Sequence, residues 1–361
     1  MIGWWFTEIG EGEKRRLMDA FDQRKFSLGS IGRELEERLA KMHSARHAVV
    51  TPSGTAALAM SMSALGVGRG DEVIVPTLTW IASAQAASML GADVVLVDSC
   101  ADLPLIDPDG VERAITPRTK AIVPVHFHGR SCDMVRLKAI ADKHNLAIVE
   151  DACKSMYCAS PQGYLGTIGN AGCFSLGMIS LISAGYGGFA LTNDDDLCRR
   201  MRLVRDHGVK RVPEDVYEFD GFNFKISDLL CAVALGQLDR LEEKLSHLHA
   251  VHRRYVEGLD GQSTVHLIPV DVAGGMVPLC VDLLTEDRLG LERYLLENGV
   301  QISRFHPPLH HAHYYTGHAD QFPHAERFAD QGFMPPCGPS QPLANVDRAI
   351  ELVRRWIDGR K

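Results

Sequence analysis

Short apolar runs alternate with helical stretches over the first two thirds of the chain. This alternation constrains the fold more than any other feature. HAVV (47–50), DEVIVP (71–76), DVVLVD (93–98), KAIVPVH (120–126) and LAIVED (146–151) are apolar on both faces. Strands of that kind belong in a parallel sheet covered by helices on either side. The intervening AALAMSMSALGV, WIASAQAASML and DMVRLKAIADKHN have helical character, GFALTND (188–194) reads as a further strand, and DDLCRRMRLVRDHG reads as the helix after it. SDLLCAVALGQLDRLEEKLSHLHAVHRRYVEGL (227–259) reads as one long helix joining a large domain, 1–249 with its N-terminal helical arm, to a smaller α/β domain, 250–361. In the latter, MVPLCVDL reads as a strand and LGLERYLLENGV as a helix.

The bulk numbers exclude several classes. With 361 residues, 45% hydrophobic and 23% charged, the chain has enough apolar material for a large core. A net charge of −8 leaves no basic surplus to neutralise phosphates, so no nucleic-acid partner is expected. No run approaches the ~20 apolar residues of a membrane span. The N-terminus carries no signal-peptide pattern. Nine cysteines without a CxxC pair signal neither a zinc site nor a disulfide framework, and a cytoplasmic protein is expected.

Two turns carry candidate chemistry. SGTAAL (53–58) lies between a strand and a small-residue helix, where free backbone N–H groups can face an anion. Ser53 and Thr55 add hydroxyls, and Gly54 permits close approach; the same pattern also suits a plain turn. IVEDACKS places Glu150 and Asp151 at the C-terminal end of a strand, where α/β sheets hold ligands. A carboxylate there suits a helix N-cap, a metal ligand or a partner for a protonated ring nitrogen, and no His or acidic cluster in the sequence supports the metal.

Taken in order, these stretches resemble the DegT/StrS-type sugar aminotransferases, pyridoxal phosphate (PLP) enzymes of fold type I. The resemblance covers nearly the whole chain. It rests on IGRELEERLAKMHSARHAVVTPSGTAAL, PVHFHGRSCDM, IVEDACKS, CFSLG, GYGGFALTND, GFNFKISDLLCAVALGQLDRLEE and SRFHPPLHHAHYY. It implies a large domain with a mainly parallel, seven-stranded-type sheet and a smaller C-terminal α/β domain, assembled as a homodimer with shared active sites. It implies PLP or pyridoxamine phosphate (PMP) as cofactor and a keto sugar or similar small molecule as substrate. Asp151 would pair with the pyridine nitrogen, so that the ring acts as an electron sink. Trp80 would stack on the ring, Ser53, Gly54, Thr55 and Ser175 would hold the phosphate, and Asn223 would reach the phosphate of the neighbouring subunit.

One departure stands out. In CFSLGMISLISAGYGG (173–188) the family carries its Schiff-base lysine where this chain has Ser180. A serine hydroxyl neither forms a Schiff base nor carries a proton readily at neutral pH. Tyr186 stands where Glu or Gln is common, and Lys154 where Gln or His is usual. The leading expectation is a lysine-independent imine reaction such as dehydration. That resembles the keto-deoxysugar 3-dehydratases of the same family, with Lys154, Tyr186 or His306 as base. The alternatives are an aminotransferase in which Lys154 substitutes as the amine, a lysine-replaced variant, and a non-catalytic cofactor-binding homologue. RFHPPLHHAHYY (304–315) corresponds to the segment that closes over the cofactor, making Arg304 and His310 candidates for substrate contact. No metal is expected there: the stretch has no paired carboxylate or thiolate, and two prolines break helical spacing.

Overall fold

The computed structural model describes residues 1–209, 217–315 and 321–360. Helices α1 (Glu11–Asp22) and α2 (Ser30–Met42) precede the main sheet. Its strands are β1 (His47–Thr51), β2 (Glu72–Pro76), β3 (Asp93–Val97), β4 (Thr119–Ile122), β5 (Ala147–Asp151), β8 (Ala171–Ser175) and β9 (Gly188–Thr192); a small hairpin, β6 (Ala159–Ser160) and β7 (Gly163–Tyr164), lies outside it. The seven strands run in the order β1-β9-β8-β5-β4-β2-β3. β3, β2, β4, β5 and β8 pair in parallel, and β9 is antiparallel to both β8 and β1. The expected mainly parallel seven-stranded sheet of a fold type I protein is the observed one.

Helices α3 (Gly54–Ala64), α4 (Ala82–Ser88), α5 (Pro108–Ala114) and α6 (Met134–His144) connect the parallel strands, and α7 (Asp195–Arg205) follows β9. Ala56 to Met62 of α3 are all buried, so this helix is apolar on every side, as an element sandwiched within a core must be. Ser53 caps it by accepting from the Ala56 N–H at 3.1 Å. Its start is pressed against the sheet: a Cβ on Gly188 would lie 2.5 Å from the Ser53 carbonyl, so only glycine fits at the beginning of β9.

The stretch 227–259 forms two helices, α8 (Asp228–Asp239) and α9 (Leu241–Gly258). They break at Arg240, whose φ of −105° leaves the helical range and whose guanidinium binds Glu8 and Glu243. The boundary drawn at 249/250 falls inside α9. A second sheet, β10 (His266–Leu267), β11 (Leu283–Leu284), β12 (Ser303–Arg304) and β13 (Gly332–Met334), is wholly antiparallel in the order β10-β11-β13-β12. It is accompanied by α10 (Arg288–Glu297), α11 (Pro323–Gln331) and α12 (Leu343–Asp358). MVPLCVDL contributes only Leu283 to a strand. The N-terminus runs along this second sheet, with Ile2 bridged to Val300 and Trp5 to Cys337. Among the described residues, no helix is long and apolar enough to cross a membrane.

Candidate active site

The C-terminal ends of β5 and β8, the N-terminus of α3 and the chain leaving β2 enclose a cavity of about 290 Å³. Parallel-sheet geometry puts strand ends and helix starts on one side, which is why the sheet opens its ligand crevice there. Gly54, Thr55, Trp80, Asp151, Lys154, Ser175 and His306 all line it, so seven of the candidates from the sequence converge on one space.

Asp151 is buried at the end of β5. One carboxylate oxygen accepts from the Ser83 hydroxyl at 2.7 Å, and the other accepts from the Cys153 N–H at 3.1 Å. Across the cavity Ser175 ends β8, and its Oγ accepts from the Gly177 N–H at 3.1 Å. Gly54 closes the space between them: a Cβ there would meet Cys153 Sγ at 2.8 Å and Ser175 Cβ at 3.3 Å. The helix start, the Ser175 hydroxyl and the Thr55 side chain form an anion cradle, with a buried carboxylate farther along the cavity wall. This donor set fits a phosphorylated pyridine: the cradle suits its phosphate and Asp151 its ring nitrogen.

Trp80 is 60% exposed, and its ring centroid lies 4.8 Å from that of His306 at an interplanar angle of 59°. Burial pushes the His306 imidazole down to about 4, so it is neutral at physiological pH. The Lys154 ammonium donates to the carbonyl of Ile179, itself a cavity residue, and burial lowers the pKa of the amine. Lys154 is the one lysine among the cavity's lining residues.

The structure does not bring the other candidates into the cavity. Ser180 is 1% exposed, and among the described residues its Oγ has no hydrogen-bond partner. Ser53 spends its hydroxyl on the helix cap. Tyr186 is 76% exposed and does not line the cavity. Asn223 is exposed, its backbone bridged to Asp206. Arg304 faces α10, where its guanidinium binds Glu292 at 2.8 Å. His310 is buried against Thr77 and Glu326, away from the cavity. Glu326, on α11, also contacts His311, so these histidines do have a paired carboxylate, one that lies beyond the stretch 304–315.

Sequence reasoning missed Trp4, His126, His128, Cys280 and Ser303 as cavity residues. PVHFHG carries two of them. His126 donates through Nε2 to Glu150 at 2.9 Å while its Nδ1 accepts from the Cys132 N–H at 3.2 Å. Glu150 also accepts from the N–H groups of Gly166, Ile168 and Gly169, so it is a buried structural anchor. His128, in the left-handed region at φ 51°, binds Asp282 at 2.8 Å.

The family model for DegT/DnrJ/EryC1/StrS aminotransferases matches residues 7–354. The chain belongs to this family. It is 33% identical over 358 residues, 98% of this chain and 94% of the relative, to a dTDP-3-amino-3,4,6-trideoxy-alpha-D-glucose transaminase of Streptomyces venezuelae. It is also 39% identical over 222 residues to a GDP-perosamine synthase of Caulobacter vibrioides, an alignment spanning 61% of this chain and 60% of that protein. Among solved structures it resembles the PMP form of the putative sugar aminotransferase Spr1654 of Streptococcus pneumoniae, with a TM-score of 0.92 and 25% identity over 98% of this chain and 96% of that one. The expectation of a PLP or PMP cofactor agrees with the family and with that neighbour.

Proposed function

We propose that this chain is a PLP- or PMP-dependent enzyme acting on a nucleotide-linked keto sugar by a reaction that needs no lysine at position 180, with loss of a hydroxyl beside the carbonyl as the reaction type. The observation that carries this reading is the exchange of side chains around one carbonyl. Ser180 is buried outside the cavity, while the Lys154 amine lies inside it against Ile179. The names of the relatives, a GDP-sugar synthase and a dTDP-sugar transaminase, support the substrate class.

When bound, the cofactor supplies an amine for the sugar carbonyl and a ring that withdraws electrons from the adjacent carbon. Gly54, Thr55 and Ser175 hold its phosphate, Asp151 its ring nitrogen, and Trp80 covers a ring face. Lys154, its amine made less basic by burial, would hold a proton beside the departing hydroxyl and deliver it so that the hydroxyl leaves as water, the two electrons this loss requires coming from the amine form of the cofactor, PMP. Neutral His306 offers a second acceptor on the Trp80 side. The enzyme works in the cytoplasm as a homodimer, with Asn223, exposed and outside its own cavity, reaching the neighbouring site.

A second reading, favoured by the same lowered amine, has Lys154 substitute for the missing Schiff-base lysine, with transamination as the outcome. The two separate in one experiment: equilibration with PLP, borohydride reduction, intact mass and peptide mapping. Retained cofactor without an adduct, and a keto product lighter by one oxygen atom with PMP converted to PLP and ammonia when PMP and a nucleotide-linked keto sugar are supplied, is the result expected. An adduct on Lys154 establishes the second reading. Failure to retain either cofactor form overturns both.

A further inference from the structure

Away from the cavity, two elements distant in sequence bring three ligating side chains together. His310 and His311 lie on the 3-10 turn Leu309–His311, and Glu326 lies in the first turn of α11. The Nε2 atoms of the two histidines stand 2.7 and 2.6 Å from the same oxygen, Oε1 of Glu326, and the three ligand atoms fall within 4.8 Å of one another. The rings are nearly perpendicular, at 82°, with centroids 4.7 Å apart, so both nitrogens aim at the carboxylate.

We propose that His310, His311 and Glu326 form a zinc-binding site that straps the 309–311 turn to α11. Two imidazoles and one carboxylate are a ligand set suited to zinc, with the fourth tetrahedral position left to water. The outer shell has the form such sites take. His310 Nδ1 is 2.8 Å from the buried Thr77 hydroxyl, which can accept its proton and leave the Nε2 lone pair to the metal. Phe322 stacks on the same ring at 4.6 Å and 25°, fixing its plane. His311 is about half exposed at 48% and Glu326 is 23% exposed, so an ion and its water have a path from solvent. Zn–N and Zn–O bonds of about 2.0–2.2 Å set tetrahedral ligand atoms roughly 3.3 Å apart, so the trio must open by about 0.6 Å per contact. Glu326, partly exposed and held among the described residues by the two histidines, can supply that movement through its side-chain torsions.

The strap has a consequence for the cavity. Thr77 also accepts, through its backbone carbonyl, from the Leu309 N–H at 2.7 Å, and the chain from Thr77 leads directly to Thr79 and Trp80 in the cavity wall. His306 precedes the turn by three residues. A metal joining the turn to α11 would hold the Trp80–His306 wall against the second sheet's helix.

The test uses the full chain with its cofactor, stripped of metal by chelator and then titrated with zinc against a chromophoric competitor, with zinc content measured after gel filtration. One zinc per chain is expected, together with a rise in melting temperature. Cobalt substitution should give a visible spectrum without the thiolate charge-transfer band that binding to any of the nine cysteines would produce. His311→Ala, at an exposed position, should fold normally and weaken zinc binding at least tenfold, and Glu326→Gln should do the same. His313→Ala, also exposed, should bind zinc as the parent does. No stoichiometric zinc, a thiolate-type cobalt spectrum, or equal binding by the parent and His311→Ala overturns the proposal.

Discussion

Replacing Asp282 by Asn tests how the residue before β11 holds His128 in the cavity wall. Asp282, 1% exposed, is shared by the buried His128 imidazole and the buried Arg130 guanidinium. It accepts from His128 Nδ1 at 2.8 Å and from the Arg130 guanidinium, which also donates to the carbonyls of Pro269 at 2.9 Å and Ile268 at 2.8 Å. Burial opposes the charge on Asp282, but His128 and Arg130 outweigh it and hold the carboxyl below its usual range; burial likewise opposes the charge on His128, and Asp282 raises it. Removing one partner of a buried pair leaves an uncompensated charge and costs about 3–5 kcal/mol. At ~2.1 cal/mol/K of unfolding entropy per residue over 361 residues, that loss lowers the melting temperature by roughly 4–7 °C. The pH dependence carries a second signature. The raised His128 contributes stability that is full below its unfolded value of about 6.5 and is lost as pH rises through the folded value. The lowered Asp282 contributes above about 3.9 and is lost as pH falls through its folded value. The deficit of the Asn variant should therefore be greatest near about pH 6 and shrink on the alkaline side as the parent loses the His128 term. Calorimetry of parent and variant across pH measures both. A deficit under about 1 kcal/mol, or one that does not change with pH, refutes the account of a charged buried triad.

Two substitutions test the cavity itself. Gly54→Ala sets a methyl against Cys153 Sγ and Ser175 Cβ and drives the thiol into the anion cradle; cofactor affinity measured by equilibrium dialysis should fall at least tenfold, about 1.4 kcal/mol, with little change in melting temperature. Ser180→Lys introduces a long chain at a buried position and should cost about 1–3 kcal/mol through overpacking. If the rest of the site is competent, it should gain a PLP adduct at residue 180 that survives borohydride and is found by peptide mapping. A variant that folds, binds PLP and forms no adduct there would show that residue 180 no longer faces the cofactor.

The parallel strands were legible because strands buried on both faces are apolar throughout, as Val73–Val75 and Ile148–Val149 are. Ser53, Asp133, Asp194 and Ser227 each cap a helix through the side chain, Asp194 being the last residue of the stretch read as a strand. The break at Arg240 was not legible: no Gly or Pro marks it. MVPLCVDL looked like a strand from its apolar run. At Val277 and Leu279 its backbone instead meets Gly129, where a Cβ would lie 1.9 Å from the Val277 carbonyl. The cavity residues on strand ends and the α3 start were readable because topology dictates where such residues go. Trp4 was not, since it reaches the cavity from the far end of the chain.

Around position 180 the proposed reaction turns on which side chains meet the loop. A buried hydroxyl without a partner costs about 1–3 kcal/mol, and Ser180 carries such a hydroxyl. A lysine pointing from the same loop into the cavity would have had solvent or cofactor for its amine. Here the backbone carbonyl beside that position, on Ile179, is instead met by the Lys154 amine, which arrives from the end of β5 three residues after Asp151. The cavity thus keeps one amine but receives it from the Asp151 side of the cavity. Imine formation takes the hydrogens of the Lys154 nitrogen and with them the donor to the Ile179 carbonyl, whereas proton exchange through the lone pair leaves that hydrogen bond in place. That difference in cost is the physical reason for preferring Lys154 as a proton carrier over Lys154 as the covalent partner.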